Sequence, residues 1–133
     1  MAKHLITGCA GFVGSHLARR LLQSDHEVFG VDSLVCGFIE NIKDLHFNKN
    51  FEFMQNDIRH MKNEAPHRKF DYVWHLAARG EVYWCKDHPE EALDVNVNGT
   101  INLLELALKQ SKSQNKKIKF FFALGPKNCW GYF

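Results

Sequence analysis

The feature that most constrains the fold of this chain is a glycine-rich turn near the N-terminus. Residues 7–14 read TGCAGFVG and directly follow an apolar run at Lys3–Thr7. After the turn, apolar residues at helical spacing predict a helix that begins near Gly11 or Phe12 and ends around Ser24. A strand, a glycine turn and a helix in this order bring backbone N–H groups and the positive end of the helix to one point, where they can bind a pyrophosphate.

Each glycine of the turn has a predicted role. Gly8 permits a tight turn, Gly11 lets the backbone approach phosphate groups, and Gly14 allows the helix to pack closely on the strand. The alternative is a glycine-rich turn that connects strand and helix without binding a ligand. The order of the surrounding elements favours the phosphate site.

Further apolar runs predict a sheet. These runs are nearly continuous rather than alternating, which is typical of parallel strands covered on both faces. We therefore expect a Rossmann-type, doubly wound parallel α/β sheet of about five strands in the order 3-2-1-4-5. The four runs after the first are Glu27–Asp32, Phe51–Gln55, Asp71–Ala77 and Ile118–Leu124.

Two helices have predicted buried faces. For the first helix these are Val13, Leu17, Leu21 and Leu22. A longer helix is predicted from Pro89, a favourable first-turn residue. Its predicted buried face is Leu93, Val97, Ile101, Leu104 and Leu108. Residues 37–45 indicate a short helix, and residues 59–69 indicate a loop or a weak helix.

Asp32 ends the second predicted strand, about 20 residues beyond the glycine turn, where a carboxylate can accept hydrogen bonds from both ribose hydroxyls of an adenosine. A 2′-phosphate would meet like charge there, and no arginine follows within the next several residues. This pattern predicts NAD rather than NADP as cofactor. Alternatively, Asp32 only caps a strand or starts a turn.

Polar and small residues also follow the third and fourth strands. Asp57 and the His75–Ala78 segment lie where a parallel sheet presents its carboxyl edge to a ligand. His75 is interpreted as a packed or hydrogen-bonded histidine before a general base. Asn96, inside the long helix, either braces a loop beneath the cofactor or faces solvent.

Composition limits the remaining possibilities. A length of 133 residues with 45% hydrophobic and 24% charged residues predicts one globular domain over 1–133. A net charge of +2 does not suggest a nucleic-acid surface, and no run approaches the roughly 20 apolar residues needed to span a bilayer. The four cysteines are scattered without metal-ligand spacing, so we expect no metal site and a reduced, cytoplasmic protein.

Five segments together are similar to one known family. They read TGCAGFVGSHLARRLL, VDSLVCGFIENI, NDIR, DYVWHLAA and DVNVNGTINLLELA, beginning at residues 7, 31, 56, 71 and 94. In their residues and in their order along the chain they resemble segments of the extended short-chain dehydrogenase/reductase family, especially of its nucleotide-sugar epimerases and dehydratases.

The resemblance implies cofactor contacts at matching positions. It implies phosphate contacts in the glycine turn, a ribose contact at Asp32, and adenine contacts after the third strand. It also implies that Asn96 supports the loop beneath the cofactor, and it leaves Ser33 where these enzymes often have asparagine. The full set of implied cofactor-binding residues is Gly8, Gly11, Phe12, Val13, Gly14, Asp32, Ser33, Asp57, Ile58, Leu76, Ala77, Ala78 and Asn96.

The sequence departs from the family after the fifth predicted strand. Residues 120–133 contain no serine or threonine, and the family's catalytic Tyr-x-x-x-Lys does not occur, so no catalytic residue is assigned. We expect the chain to stop before the sixth strand and the substrate-binding region, with residues 125–133 as an atypical tail.

Three functions remain open: an NAD-binding domain inactive alone, a small oxidoreductase or epimerase completed by another chain, or an NAD-sensing module. A nucleotide sugar is an expected partner only for a completed site. Without a sixth strand, the run at 118–124 is an edge flanked by aromatic residues, and the resemblance implies that the long helix packs across a dimer interface. We therefore expect a homodimer. Alternatively, the aromatic tail folds back over the edge and leaves a monomer.

Overall fold

Five parallel strands form one sheet in the order β3-β2-β1-β4-β5. The computed structural model describes residues 1–62 and 68–123. β1 pairs with β2 from Lys3 opposite Glu27, and with β4 from His4 opposite Tyr72. The strands are β1 (Lys3–Thr7), β2 (Glu27–Asp32), β3 (Phe51–Gln55), β4 (Tyr72–His75) and β5 (Lys119–Phe122).

The predicted strand order and the bounds of the first three strands are confirmed. β4 is shorter than the predicted run at 71–77, because its neighbour β1 ends at Thr7, whose carbonyl accepts the last ladder hydrogen bond from the Leu76 N–H at 3.2 Å. β5 is also shorter than predicted and ends at Phe122; Leu124 and the tail at 125–133 lie outside the described residues.

Helices connect the strands on both faces of the sheet. α1 (Phe12–Gln23) matches the first predicted helix, and a 3₁₀ helix (Ile39–Phe47) occupies most of the segment predicted to be a short helix. The long helix begins at Pro89 as predicted and has three parts: α3 (Pro89–Leu93), a π-helical turn (Asp94–Asn98) and α4 (Gly99–Gln114). The six-residue helix α2 (Val82–Asp87), which precedes them, was not predicted. Within 59–69, residues 59–62 form turns, and residues 68 and 69 are in neither a helix nor a strand.

The predicted buried face of the long helix is wrong. Leu93, Val97, Ile101, Leu104 and Leu108 are between 46% and 62% exposed. The face that packs on the sheet instead carries smaller residues among its members, which let the helix approach closely. It consists of Ala92, Val95, Gly99, Leu103, Leu106 and Ala107.

The predicted face of α1 needs a similar correction. Val13 is 61% exposed, and Leu17 and Leu21 are half-buried. The helix packs on the sheet through small side chains because its first turn lies against the backbone of the glycine turn. Its buried residues are Gly14, Ser15, Ala18 and Leu22.

The hydrophobic core has two parts, one on each face of the sheet. Leu5, Val31 and Val73 pack against α4 on one face, and Ile6 and Cys9 pack against α1 and the 3₁₀ helix on the other. Covered faces on both sides explain why the central strands are nearly continuous apolar runs. Among the described residues, no helix is both long and apolar enough to cross a membrane.

Candidate functional site

A cleft of about 160 Å³ lies at the carboxyl edge of the sheet. This edge is where ligands bind in open parallel sheets. The lining combines residues that follow β1, β2, β3 and β4. Nine of the sequence-predicted residues line it together: Gly8, Gly11, Asp32, Ser33, Asp57, Ile58, Leu76, Ala77 and Ala78.

The glycine turn forms one wall through its backbone. Gly8 has φ +71°, and a Cβ there would lie 2.8 Å from the Ala77 nitrogen. A Cβ at Gly14 would overlap the Gly8 carbonyl oxygen and lie 2.9 Å from the Cys9 Cα. Gly14 does not line the cleft, so its place in the structure agrees with close packing of helix on strand.

Phe12 and Val13 stand at the N-terminus of α1, beside the cleft. Their side chains do not line it, and the Phe12 side chain is 79% exposed. Gly11 precedes the helix with no side-chain cap on the N-terminal N–H groups. These backbone donors and the positive end of the helix are the groups that suit a phosphate.

The Asp32 carboxylate is only 8% exposed and is held by two backbone N–H groups, from Ala10 at 2.9 Å and from Leu34 at 2.8 Å. A carboxylate offers about four acceptor positions, so about two remain for ligand hydroxyls. A Cβ at Gly37 would lie 2.7 Å from this carboxylate, so the following loop packs directly on it. Ser33 lines the cleft, and its hydroxyl accepts the Val35 N–H at 3.4 Å.

The carboxylate of Asp57 is already paired. Burial would raise its pKa, but hydrogen bonds from the side chain and backbone of Arg59 outweigh that effect and hold the pKa below its usual range. Arg59 also forms ion pairs with Asp94 at 3.4 Å and with Glu91 at 3.8 Å. Both members of the pair line the cleft, so their charges largely compensate each other there.

His75 lies at the centre of a hydrogen-bond chain. The Thr100 hydroxyl donates to the Asn96 carbonyl at 2.6 Å, so it accepts from the His75 Nε2–H at 2.8 Å. His75 Nδ1 then accepts from the Thr7 hydroxyl at 2.8 Å. Burial lowers the pKa of His75 to about 4. The histidine is packed and neutral, as interpreted from the sequence, and ties β1, β4 and the long helix together.

Asn96 braces the loop that follows β4. Its Nδ2 donates to the Arg79 carbonyl at 2.9 Å, and its Oδ1 accepts the Arg79 N–H at 2.8 Å. Of the two alternatives, the structure therefore shows a side chain that braces a loop rather than one that faces solvent. Asn96 itself is absent from the cleft lining. It lies in the π-helical turn, a feature frequent at functional sites.

Sequence reasoning missed Arg79, which lines the cleft with an 11% exposed side chain. Its guanidinium lies 3.7 Å from the centre of the Trp84 ring and 3.3 Å from the Glu81 carboxylate. Glu81 and Trp84 are close to Arg79 in the sequence. However, an arginine near an acidic and an aromatic residue does not by itself indicate a residue that lines a binding cleft. Within residues 1–62 and 68–123, no three potential metal-ligating side chains cluster together.

The comparisons with known proteins agree on one family. The family model described as GDP-mannose 4,6 dehydratase matches residues 5–124. UDP-glucose 4-epimerase of Mycolicibacterium smegmatis is 39% identical over 105 residues, which cover 77% of this chain and 34% of that protein. A probable dTDP-glucose 4,6-dehydratase of Sinorhizobium fredii is 38% identical over 122 residues, which cover 87% of this chain and 35% of that protein.

Solved structures agree with these relatives. The UDP-Glc/GlcNAc 4-epimerase of Campylobacter jejuni superposes with a TM-score of 0.75 at 34% identity, covering 84% of this chain and 35% of that one. The dTDP-glucose 4,6-dehydratase of Streptomyces venezuelae, solved with NAD, gives a TM-score of 0.72 at 30% identity, covering 82% and 36%.

The chain thus spans about a third of the length of the relatives that it matches. The matched third includes the glycine turn, the Asp32 strand and the Asn96 helix, which together build the cleft. The chain belongs to the nucleotide-sugar epimerases and dehydratases of the extended short-chain dehydrogenase/reductase family.

Proposed function

We propose that this chain is an NAD-binding domain of the nucleotide-sugar epimerase/dehydratase type, and that its cofactor lies in the cleft at the carboxyl edge of the sheet. The observation that carries the proposal is the joint lining of this cleft by the Gly8–Gly11 turn and the Asp32 carboxylate. The first supplies phosphate-binding N–H groups, and the second supplies acceptors for ribose hydroxyls. Two related enzymes, from Thermus thermophilus and Streptomyces venezuelae, were solved with NAD.

The charges of the cleft support NAD over NADP. Asp32 would repel a 2′-phosphate, and the two arginines of the lining are already paired with acids. Arg59 is paired with Asp57, and Arg79 with Glu81. Neither cation is free to compensate a phosphate beside Asp32 without breaking an existing pair.

Calorimetric titration with NAD and NADP tests this proposal. We expect NAD to bind at least tenfold more tightly than NADP. Asp32→Asn keeps the shape of the side chain but removes its charge, and should weaken NAD binding by about 1 to 3 kcal/mol. Asp87→Asn, an equal charge change on α2 outside the cleft lining, is the matched control and should leave affinity unchanged. Equal or tighter NADP binding would overturn the assignment.

Gly11→Val should abolish NAD binding while keeping the fold. A Cβ at Gly11 would meet one atom, the Gly8 carbonyl oxygen, at 3.2 Å, a tight contact that a shift of a few tenths of an ångström relieves. The added methyl groups would fill the space needed by the pyrophosphate. A variant that unfolds, or that binds as wild type does, would contradict this placement.

We propose further that the 133-residue chain has no turnover by itself, because it contains no Tyr-x-x-x-Lys to donate and accept the proton. A panel of nucleotide sugars with NAD, analysed for epimerised, dehydrated or oxidised products, tests this. Turnover that Gly11→Val abolishes would show that this chain holds another catalytic group.

Finally, we propose that the chain forms a homodimer. The five exposed apolar residues of the long helix recur at helical spacing and form an exposed stripe, and Phe121 and Phe122 of β5 are 42% and 48% exposed. Apolar surface of this extent favours burial against a second copy.

A further inference from the structure

Two loops meet above the glycine turn. The loop after β2 contributes Cys36, and the loop after β4 contributes Arg79 and Glu81. The Cys36 thiol donates to the Glu81 carboxylate at 2.6 Å, and its sulfur accepts from the Arg79 guanidinium at 2.8 Å. We call this three-residue contact the strap.

The sheet order fixes where the strap runs. β2 and β4 are not neighbours, because β1 lies between them. A contact between the loops that follow β2 and β4 therefore has to pass over the carboxyl end of β1, where the Gly8–Gly11 turn begins. All four of Gly8, Gly11, Cys36 and Arg79 line the same cleft. The strap consequently crosses the cleft above its phosphate-binding floor.

The two ends of the strap are held differently. On the β4 side, Arg79 stacks on Trp84 and its backbone is held at both polar atoms by Asn96. On the β2 side, Cys36 is exposed in a segment without helix or strand, which is anchored on either side: the Leu34 N–H donates to the Asp32 carboxylate at 2.8 Å and the Phe38 N–H to the Ala10 carbonyl at 3.1 Å. Opening would thus be a movement of the residues between these two anchors away from a fixed partner.

We propose that the strap is a gate, which must open for a dinucleotide to enter or leave the cleft. This inference rests on the proposed function, since it concerns the exchange of the cofactor. A single neutral thiol holds the strap closed, so opening breaks two hydrogen bonds and leaves the pairing of Arg79 with Glu81 intact. Partial desolvation of the sulfur and the Glu81 hydrogen bond raise the pKa of Cys36, which keeps the thiol proton available for donation near neutral pH.

A gate and a direct cofactor contact differ in their kinetics. Loss of a contact to bound cofactor speeds dissociation alone. Loss of a gate that closes both the free and the bound cleft speeds association and dissociation together and leaves the dissociation constant nearly unchanged. Stopped-flow measurement of NADH binding to the full chain distinguishes the two.

We expect Cys36→Ala to raise both rate constants about tenfold, with the dissociation constant within about twofold of wild type. Cys36→Ser, whose hydroxyl can donate and accept in place of the thiol, should restore rates close to wild type. Cys85→Ala is the matched control, because Cys85 donates to the Arg79 carbonyl at 3.7 Å without reaching the β2 side. Unchanged rates in Cys36→Ala, or an increase in dissociation alone, would overturn the gate.

A second measurement needs no cofactor. N-ethylmaleimide labelling of Cys36, followed by peptide mass spectrometry, should be about tenfold faster in Glu81→Ala than in wild type, because the thiol is released from its acceptor. Equal labelling rates would show that the strap does not form in solution and would overturn the gate alone. If none of these proteins binds NADH, the proposed function is overturned, and the gate with it.

Discussion

The two walls of the cleft are built by different means. The wall made by β1 and α1 is backbone packed on backbone, at Gly8 and Gly14. The wall made by β4 and the long helix is held by a network of side chains behind the lining, with His75 and Asn96 at its centre. Backbone contact leaves no room for adjustment, whereas side chains can rearrange. The first wall should therefore tolerate substitution poorly, and the second should respond to pH and to changes on its outer surface.

The largest expected effect on stability comes from replacing one glycine in each wall by alanine. A Cβ at Gly14 would overlap backbone atoms, whereas a Cβ at Gly99 would meet the side chain of Ile58, with its Cδ1 at 2.5 Å. We expect Gly14→Ala to lower the free energy of unfolding by about 4 kcal/mol or more. Gly99→Ala should cost about 1 to 2 kcal/mol, since Ile58 can move and alanine favours the helix. Urea denaturation measures both, and equal losses would contradict the contrast between the walls.

The wall made by β4 and the long helix should make the protein less stable in acid, because His75 lies within it. The pKa of His75 falls to about 4 in the folded protein through burial, against about 6.5 when unfolded. The unfolded chain therefore binds more protons between these values, so stability is complete above pH 6.5 and declines as the pH falls towards 4. The expected loss is up to about 3 kcal/mol between pH 7 and pH 4.

Another buried histidine, His4, also contributes to the acid response. Burial and, to a smaller extent, His26 lower its pKa to about 4, while Asp71 opposes that shift. Urea midpoints at several pH values should therefore be compared between wild type and His75→Gln, which can still donate to Thr100. His4→Phe serves as the matched variant outside the cleft. A pH profile that His75→Gln leaves unchanged would refute the role of His75.

The smallest expected effect concerns the outer surface of the long helix. Ile101→Glu combined with Leu104→Glu places charges in its exposed stripe and should weaken a homodimer at least tenfold. Phe47→Glu, at a 91% exposed position in the 3₁₀ helix, is the control and should leave association unchanged. Sedimentation at micromolar concentration measures this, with Phe121→Lys as a test of β5. A wild-type monomer would reject the dimer.

The first wall could be predicted from sequence because its determinants are local. The glycine spacing, the strand before it and the helix after it lie within 21 residues, from Lys3 to Gln23. Asp32 followed from its distance to the turn. In these segments chain neighbours and spatial neighbours largely coincide, so the sequence pattern reports the contacts directly.

The second wall could not be predicted in the same way. The long helix has apolar residues on two faces, and periodicity selected the face with the larger side chains. The sheet instead packs against the face that includes Ala92, Gly99 and Ala107, which allow a close approach. The π-helical turn also shifts the helical phase by about one residue within the stripe. The strap escaped prediction because Cys36 and Arg79 are 43 residues apart and meet only in the folded sheet.

The central place of β1 also sets the order in which the sheet can assemble. Its pairing with β2 joins Lys3 to Glu27, 24 positions apart in the sequence, whereas its pairing with β4 joins His4 to Tyr72, 68 positions apart. Closing the longer segment costs more chain entropy and slows the search. On a growing chain, β1, α1 and β2 can therefore associate first, and the edge of β1 that receives β4 stays unpaired until residue 75 has been made. For that interval an apolar, half-finished sheet edge is open to pairing with other chains, which makes this stage the one most exposed to aggregation.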